Sequence, residues 1–127
     1  MIPIEEAIQI HALLIQKFGG TTGLRDREAL HSALIRPYQM FGGRELYPTA
    51  EEKAAAILES IISNHPFLDG NKRLGYVLMK LTLLESKVNI HASQEEFYNF
   101  IIEVAMGKSD IRKIAEWIKL RSNRNKP

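Results

Sequence analysis

The sequence predicts an all-α domain of about six helices with one short hairpin or flap. Three observations carry that prediction. Apolar residues recur at helical spacing through most of the chain. Helix-start signals stand in front of these runs, as at Asp26, at Thr49 with Glu52, and at Ser93 with Glu96. Residues 37–48 have no helical period. The 127 residues suit one domain, 1–127, and no repeat or low-complexity tract divides them.

The first helix is expected over residues 3–18. Ile4, Ile8, Leu14, Ile15 and Phe18 form its stripe, and Ile10 and Leu13 widen it. Pro3 suits the first turn, and Gly19-Gly20 stops the helix. Asp26 caps a second helix that runs to about Arg36, where Pro37 ends it. Residues 37–48, PYQMFGGRELYP, carry three aromatic side chains around a Gly42-Gly43 turn. They read either as a surface loop tucked in by its aromatics or as a flap that pairs with a partner chain. Tyr38, Phe41, Gly42, Gly43 and Tyr47 are its candidate substrate-holding residues.

A third helix runs from about Ala50 to Asn64, with Ala54, Ile57, Leu58, Ile61 and Ile62 inward. Asn71 is placed as the cap of a fourth, extending to about Lys87 on a stripe of Leu74, Val77, Leu78, Leu81 and Leu84. The Ser93/Glu96 box opens a fifth that stops near Gly107, with Phe97, Phe100, Ile101 and Val104 inward. Ser109 or Asp110 starts a sixth on Ile111, Ile114, Trp117 and Ile118. Lys119, Arg121, Arg124 and Lys126 crowd the C-terminus, which reads as a solvated, frayed end or as a phosphate or partner contact.

Composition excludes several classes. There is no cysteine, hence no disulfide framework, thiolate nucleophile or thiolate metal site. A net charge of +2 is too small to mark a nucleic-acid binder, and no aromatics interleave the basic tail. The N-terminus lacks the features of a signal peptide, and no apolar run reaches membrane-spanning length. A cytoplasmic protein with no membrane partner is the expectation. His11 and His31 read as structural or surface histidines, and His91 has no partner at metal-ligand spacing.

The chemistry concentrates in HPFLDGNKRLGY, residues 65–76, between two apolar helices. His65 stands beside a dense polar cluster. Asp69 offers a hard oxygen suited to magnesium. Gly70 permits close backbone approach, and the start of the following helix presents amides to an anion. Lys72 and Arg73 place positive charge where the helix dipole disfavours it, at a cost of about 0.3–1 kcal/mol each. A bound polyphosphate reverses that sign. The residues alone leave two readings open: phosphoryl chemistry, or an ordinary loop with solvated basic residues.

This string resembles the HxFx(D/E)GNxxR signature of the Fic/Doc (Fido) family, matched here by His65, Phe67, Asp69, Gly70, Asn71 and Arg73. GLRDREAL (23–30) and RELYPTAEEKAA (44–55) are similar to its Doc, or death-on-curing, branch. The resemblance implies a Fic-like helical fold and an enzyme that uses ATP and Mg²⁺. It implies that His65 is the general base, that Asp69 holds Mg²⁺, and that Asn71 orients a phosphate. Gly70, Asn71, Lys72 and Arg73 would then form the anion turn, with Arg73 also gripping a phosphate.

Two positions separate the branches. Fic enzymes that transfer AMP typically carry Gly where this chain has Lys72, and a second Arg where it has Tyr76. The Doc branch resembles this chain at both. The implied activity is therefore kinase-like phosphotransfer to a protein hydroxyl, with a translation factor, elongation factor Tu, as the implied target. AMP transfer is the alternative, and a degenerate, non-enzymatic binding or regulatory protein is a third. The (S/T)xxxE(G/N) pattern of the family's inhibitory helix is absent, which points to a toxin restrained by a separate antitoxin protein.

Overall fold

A computed structural model describes residues 1–124. Its elements, in order, are α1 (Ile4–Phe18), α2 (Arg27–Ile35), a 3₁₀ turn (Arg36–Tyr38), β1 (Met40–Phe41), β2 (Arg44–Glu45), α3 (Ala50–Asn64), α4 (Asn71–Glu85), β3 (Val88–Ile90), α5 (Gln94–Ala105), α6 (Ile111–Leu120) and β4 (Ser122–Arg124). The fold is all-α, as the periodicity predicts. Its six helices are joined by two small antiparallel ribbons, β1–β2 and β3–β4.

The helix starts follow the expected chemistry. The Asp26, Thr49, Ser93 and Asp110 side chains each accept an amide of the first turn that follows. At Ser93 the capping box is closed by the Glu96 carboxylate.

The α3–α4 pair is the centre of the fold. Helix α3 is buried nearly all round, through Ala54, Ala55, Ala56, Ile57, Leu58, Ile61 and Ile62. One side of the pair meets α5 and α6 around Leu58, Met79, Leu83, Phe100 and Ile118. The other side meets α1 and α2 around Ala7, Leu30, Leu34, Ile61 and Leu78. Helix α3 approaches α4 closely at Gly75, where a Cβ would lie 3.1 Å from Leu58 Cδ1 and press on that side chain. Trp117 is partly buried and stacks on Phe100, with ring centroids 3.9 Å apart.

Several expectations are corrected. The buried line of α1 is Ala7, His11 and Ile15, and Leu13 and Phe18 are exposed. Helix α4 ends at Glu85, and Lys87 follows at φ 59°. Leu84 faces outward there, and Leu83 takes its place in the core. The C-terminal segment is not a frayed end as far as Arg124. Ser122–Arg124 pairs with Val88–Ile90, and Arg121 both binds Glu96 at 2.9 Å and lies over the Trp117 ring. Three-residue strands carry too little pattern to be read from sequence, and here they pair across a long separation. Lys126 lies outside the described residues.

Candidate active site

Helix α3 ends at His65, which adopts the left-handed conformation (φ 47°, ψ 60°). A non-glycine side chain there is strained, so the surroundings must hold it. The chain then turns through Pro66 and Phe67. Phe67 is buried and lies face to face with the His11 ring at 3.7 Å. Segment 23–26 runs antiparallel beside this turn. The amides of Arg25 and Asp26 donate to the Pro66 carbonyl, and the Leu68 amide donates to the Gly23 carbonyl.

In that pairing Leu24 and Phe67 face each other without sharing a hydrogen bond. The Phe67 amide and carbonyl are satisfied from the other side by Asn71. Its side-chain oxygen accepts from Phe67 N at 3.0 Å, and its amide nitrogen donates to Phe67 O at 2.9 Å. Asn71 is therefore not the cap of α4. It is the first helical residue, and Gly70, at φ 78°, stands before it. No side chain caps this helix start. The first-turn amides accordingly remain available to an anion, and Lys72 and Arg73 are both exposed beside them.

Asp69 is held from two directions. Its carboxylate accepts the Thr21 amide at 3.0 Å and the Gly70 amide at 2.8 Å. Those bonds, Thr21's first, hold its pKa below the usual 3.8, so it is ionised at neutral pH. Its carbonyl pairs with His11 Nε2 at 2.8 Å. Arg73 lays its guanidinium over the Phe18 ring, 4.3 Å from the centroid, and its planar fork is thereby pre-oriented.

His65, Asp69, Gly70, Asn71, Lys72 and Arg73 all line one open cleft of about 710 Å³. Its other wall is α5, through Gln94, Phe97, Tyr98, Ile101 and Ile102. Tyr76 joins the two walls, edge-on to Phe97 at 4.7 Å. Size and mixed polarity suit a nucleotide-sized ligand. A single ionised carboxylate beside an anion-binding turn also fits Mg²⁺, which is held by one or two carboxylates together with substrate phosphates. No cluster of three His, Asp or Glu residues stands ready for a metal among the described residues.

The hairpin predicted as a flap forms, with Gly42 and Gly43 both at positive φ in its turn. The structure does not bring it to the cleft, and none of Tyr38, Phe41, Gly42, Gly43 and Tyr47 lines it. Lys53, near the start of α3, binds Glu45 and the Tyr47 carbonyl. That is roughly 18 Å along the helix from His65 at 1.5 Å per residue. The Tyr38 hydroxyl donates to Glu85 at the far end of α4, and burial followed by that carboxylate pushes its pKa up to about 12. The segment that does meet the motif is 20–26.

Sequence reasoning missed three contributors. His11 was readable only as structural or surface. It is structural, but its partner is the motif itself. Arg25 and the α5 wall were also missed. The wall left a signal, since apolar side chains at 97, 98, 100, 101 and 102 span a wider face than one core needs.

The all-helical fold thus sets a cationic helix start without a side-chain cap beside a histidine and an ionised aspartate. The chain belongs to the Fic/DOC family, whose family model matches residues 1–83. It is similar to Toxin Doc of Mycolicibacterium smegmatis (strain ATCC 700084 / mc(2)155). The two are 34% identical over 100 residues, which cover 77% of each chain. No helix among the described residues is long and apolar enough to cross a membrane.

Proposed function

We propose that this chain is a Doc-like toxin that transfers the γ-phosphoryl group of ATP to a hydroxyl of a target protein. The observation that carries the reading is the uncapped start of α4, with Lys72 and Arg73 exposed, opening on the same cleft as His65 and Asp69. The likeness to a protein named Toxin Doc supports the toxin role.

The ATP phosphates lie against the amides that begin α4. Arg73, braced on Phe18, and Lys72 offset their charge. Asn71 acts by holding the turn closed on Phe67, a different role from direct orientation of a phosphate. Asp69 is the residue that would hold Mg²⁺, which when bound would neutralise charge on the phosphates. A ring nitrogen of His65 takes the proton of the attacking hydroxyl. The new bond joins that oxygen to the γ-phosphorus, the bond to the bridging oxygen breaks, and ADP departs.

Lys72 and Tyr76 favour γ- over α-transfer. Lys72 puts an ammonium where AMP-transferring relatives leave space. Tyr76, packed on Phe97, offers no charge to a departing pyrophosphate. The target implied by the family resemblance is a translation factor, elongation factor Tu. The implied partner is a separate antitoxin, and the implied setting is the cytoplasm.

The test is parallel incubation of the purified protein and a cell lysate with γ-labelled and α-labelled ATP. Label from the γ position alone, with a mass gain of roughly 80 Da on the target, is the expected result. A gain of roughly 329 Da makes the protein an AMP transferase. No label from either leaves a binding protein.

A further inference from the structure

Three consecutive backbone carbonyls, those of Asn64, His65 and Pro66, are taken by one residue. Arg25 Nη2 donates to Asn64 O at 2.6 Å, Arg25 Nε donates to His65 O at 2.7 Å, and the Arg25 amide donates to Pro66 O at 2.8 Å. The first two acceptors stand at the C-terminal end of α3, where carbonyls lack helical partners and the dipole is negative. A guanidinium fork spanning both supplies charge and fixed geometry together. The middle residue of the three, His65, holds a left-handed conformation at φ 47°, and its side chain is exposed and lines the cleft.

The geometry points to Arg25 as a positioning residue that locks the His65 backbone in its left-handed turn and so aims the imidazole into the cleft. Arg25 does not line the cleft itself, so it acts through His65 rather than on a ligand. Release of the fork frees His65 to relax toward ordinary backbone angles, which swings its side chain away from the mouth of the cleft. The catalytic consequence rests on the base role proposed above for His65.

The test separates the two ideas. A positive φ brings an amide proton close to its own Hα and gives a strong intraresidue cross-peak. In the histidine-labelled parent, His65 should show this peak. Arg25→Ala should lose it while the signals of exposed, distant His31 and His91 stay in place. Arg25→Lys keeps the charge and stem, guards against a folding failure, and should retain the peak in part. With γ-labelled ATP and lysate, Arg25→Ala should slow transfer about 100-fold, the scale of a misplaced reacting group, with ATP affinity within about twofold of the parent. An unchanged His65 peak in a folded Arg25→Ala protein overturns the proposal, as does a parallel loss of ATP affinity. Loss of the peak with transfer unaffected supports the positioning role and instead removes His65 from the chemistry.

Discussion

Replacing Asn71 by Ala should destabilise the protein by opening the turn that carries the motif. The Asn71 side chain is buried, and its two hydrogen bonds close on the Phe67 amide and carbonyl. The neighbouring segment does not serve those two groups, because the pairing around Leu24 skips them. Truncation therefore orphans one buried donor and one buried acceptor. Each unsatisfied group costs about 1–3 kcal/mol, and entry of water into the vacated space reduces the total to about 2–4 kcal/mol. For a chain of this size that corresponds to roughly 4 °C per kcal/mol, a fall in Tm of about 8–16 °C. Urea unfolding of parent and variant measures it. Asn71→Asp is the companion change. It keeps an acceptor for the Phe67 amide but sets an oxygen against the Phe67 carbonyl, so it should also lose stability despite equal size. A folded Asn71→Ala protein within about 0.5 kcal/mol of the parent would refute the argument that this side chain holds the turn.

His65→Gly should abolish phosphoryl transfer and yet stabilise the fold by up to about 1 kcal/mol, because glycine adopts φ 47° without strain. Calorimetry beside the labelling reaction checks both halves, and a loss of stability would show that the imidazole packs usefully. Asp69 should titrate below the ordinary carboxylate value, as read by carbon NMR of its carboxyl group. Because that pKa is depressed in the folded state, its contribution to stability is complete above the unfolded value and disappears as pH falls through the folded one. Gly20→Ala would put a Cβ 2.7 Å from Asp69 Oδ2 and displace it from the Thr21 amide, so the titration midpoint should rise. An unmoved midpoint would mean that the Thr21 amide is not what lowers it.

Local chemistry in the chain was enough to determine the helices. Four of the six starts depend on a side chain three residues from the amide it serves, as at Asp26 and in the Ser93/Glu96 box, and each apolar stripe repeats within a few residues. The motif from His65 to Arg73 was legible for the same reason, since its residues are consecutive and the turn that gathers them is nine residues long. What the tertiary structure decided depends on contacts between residues far apart in the chain. Asn71 looked like a cap because asparagine often is one, but the buried Phe67 backbone competes for its side chain and wins. His11 reaches Asp69 across 58 positions, and Arg25 reaches His65 across 40. The pattern around neither residue encodes the partner. The hairpin was recognisable as a hairpin, whereas its place beside the start of α3, away from the cleft, follows from Lys53, Glu45 and the Tyr38–Glu85 bond. Periodicity and capping act within one or two turns of helix, so they specify elements. Which elements share a cleft is decided by packing on the α3–α4 pair, where burial of apolar surface is summed over the whole chain.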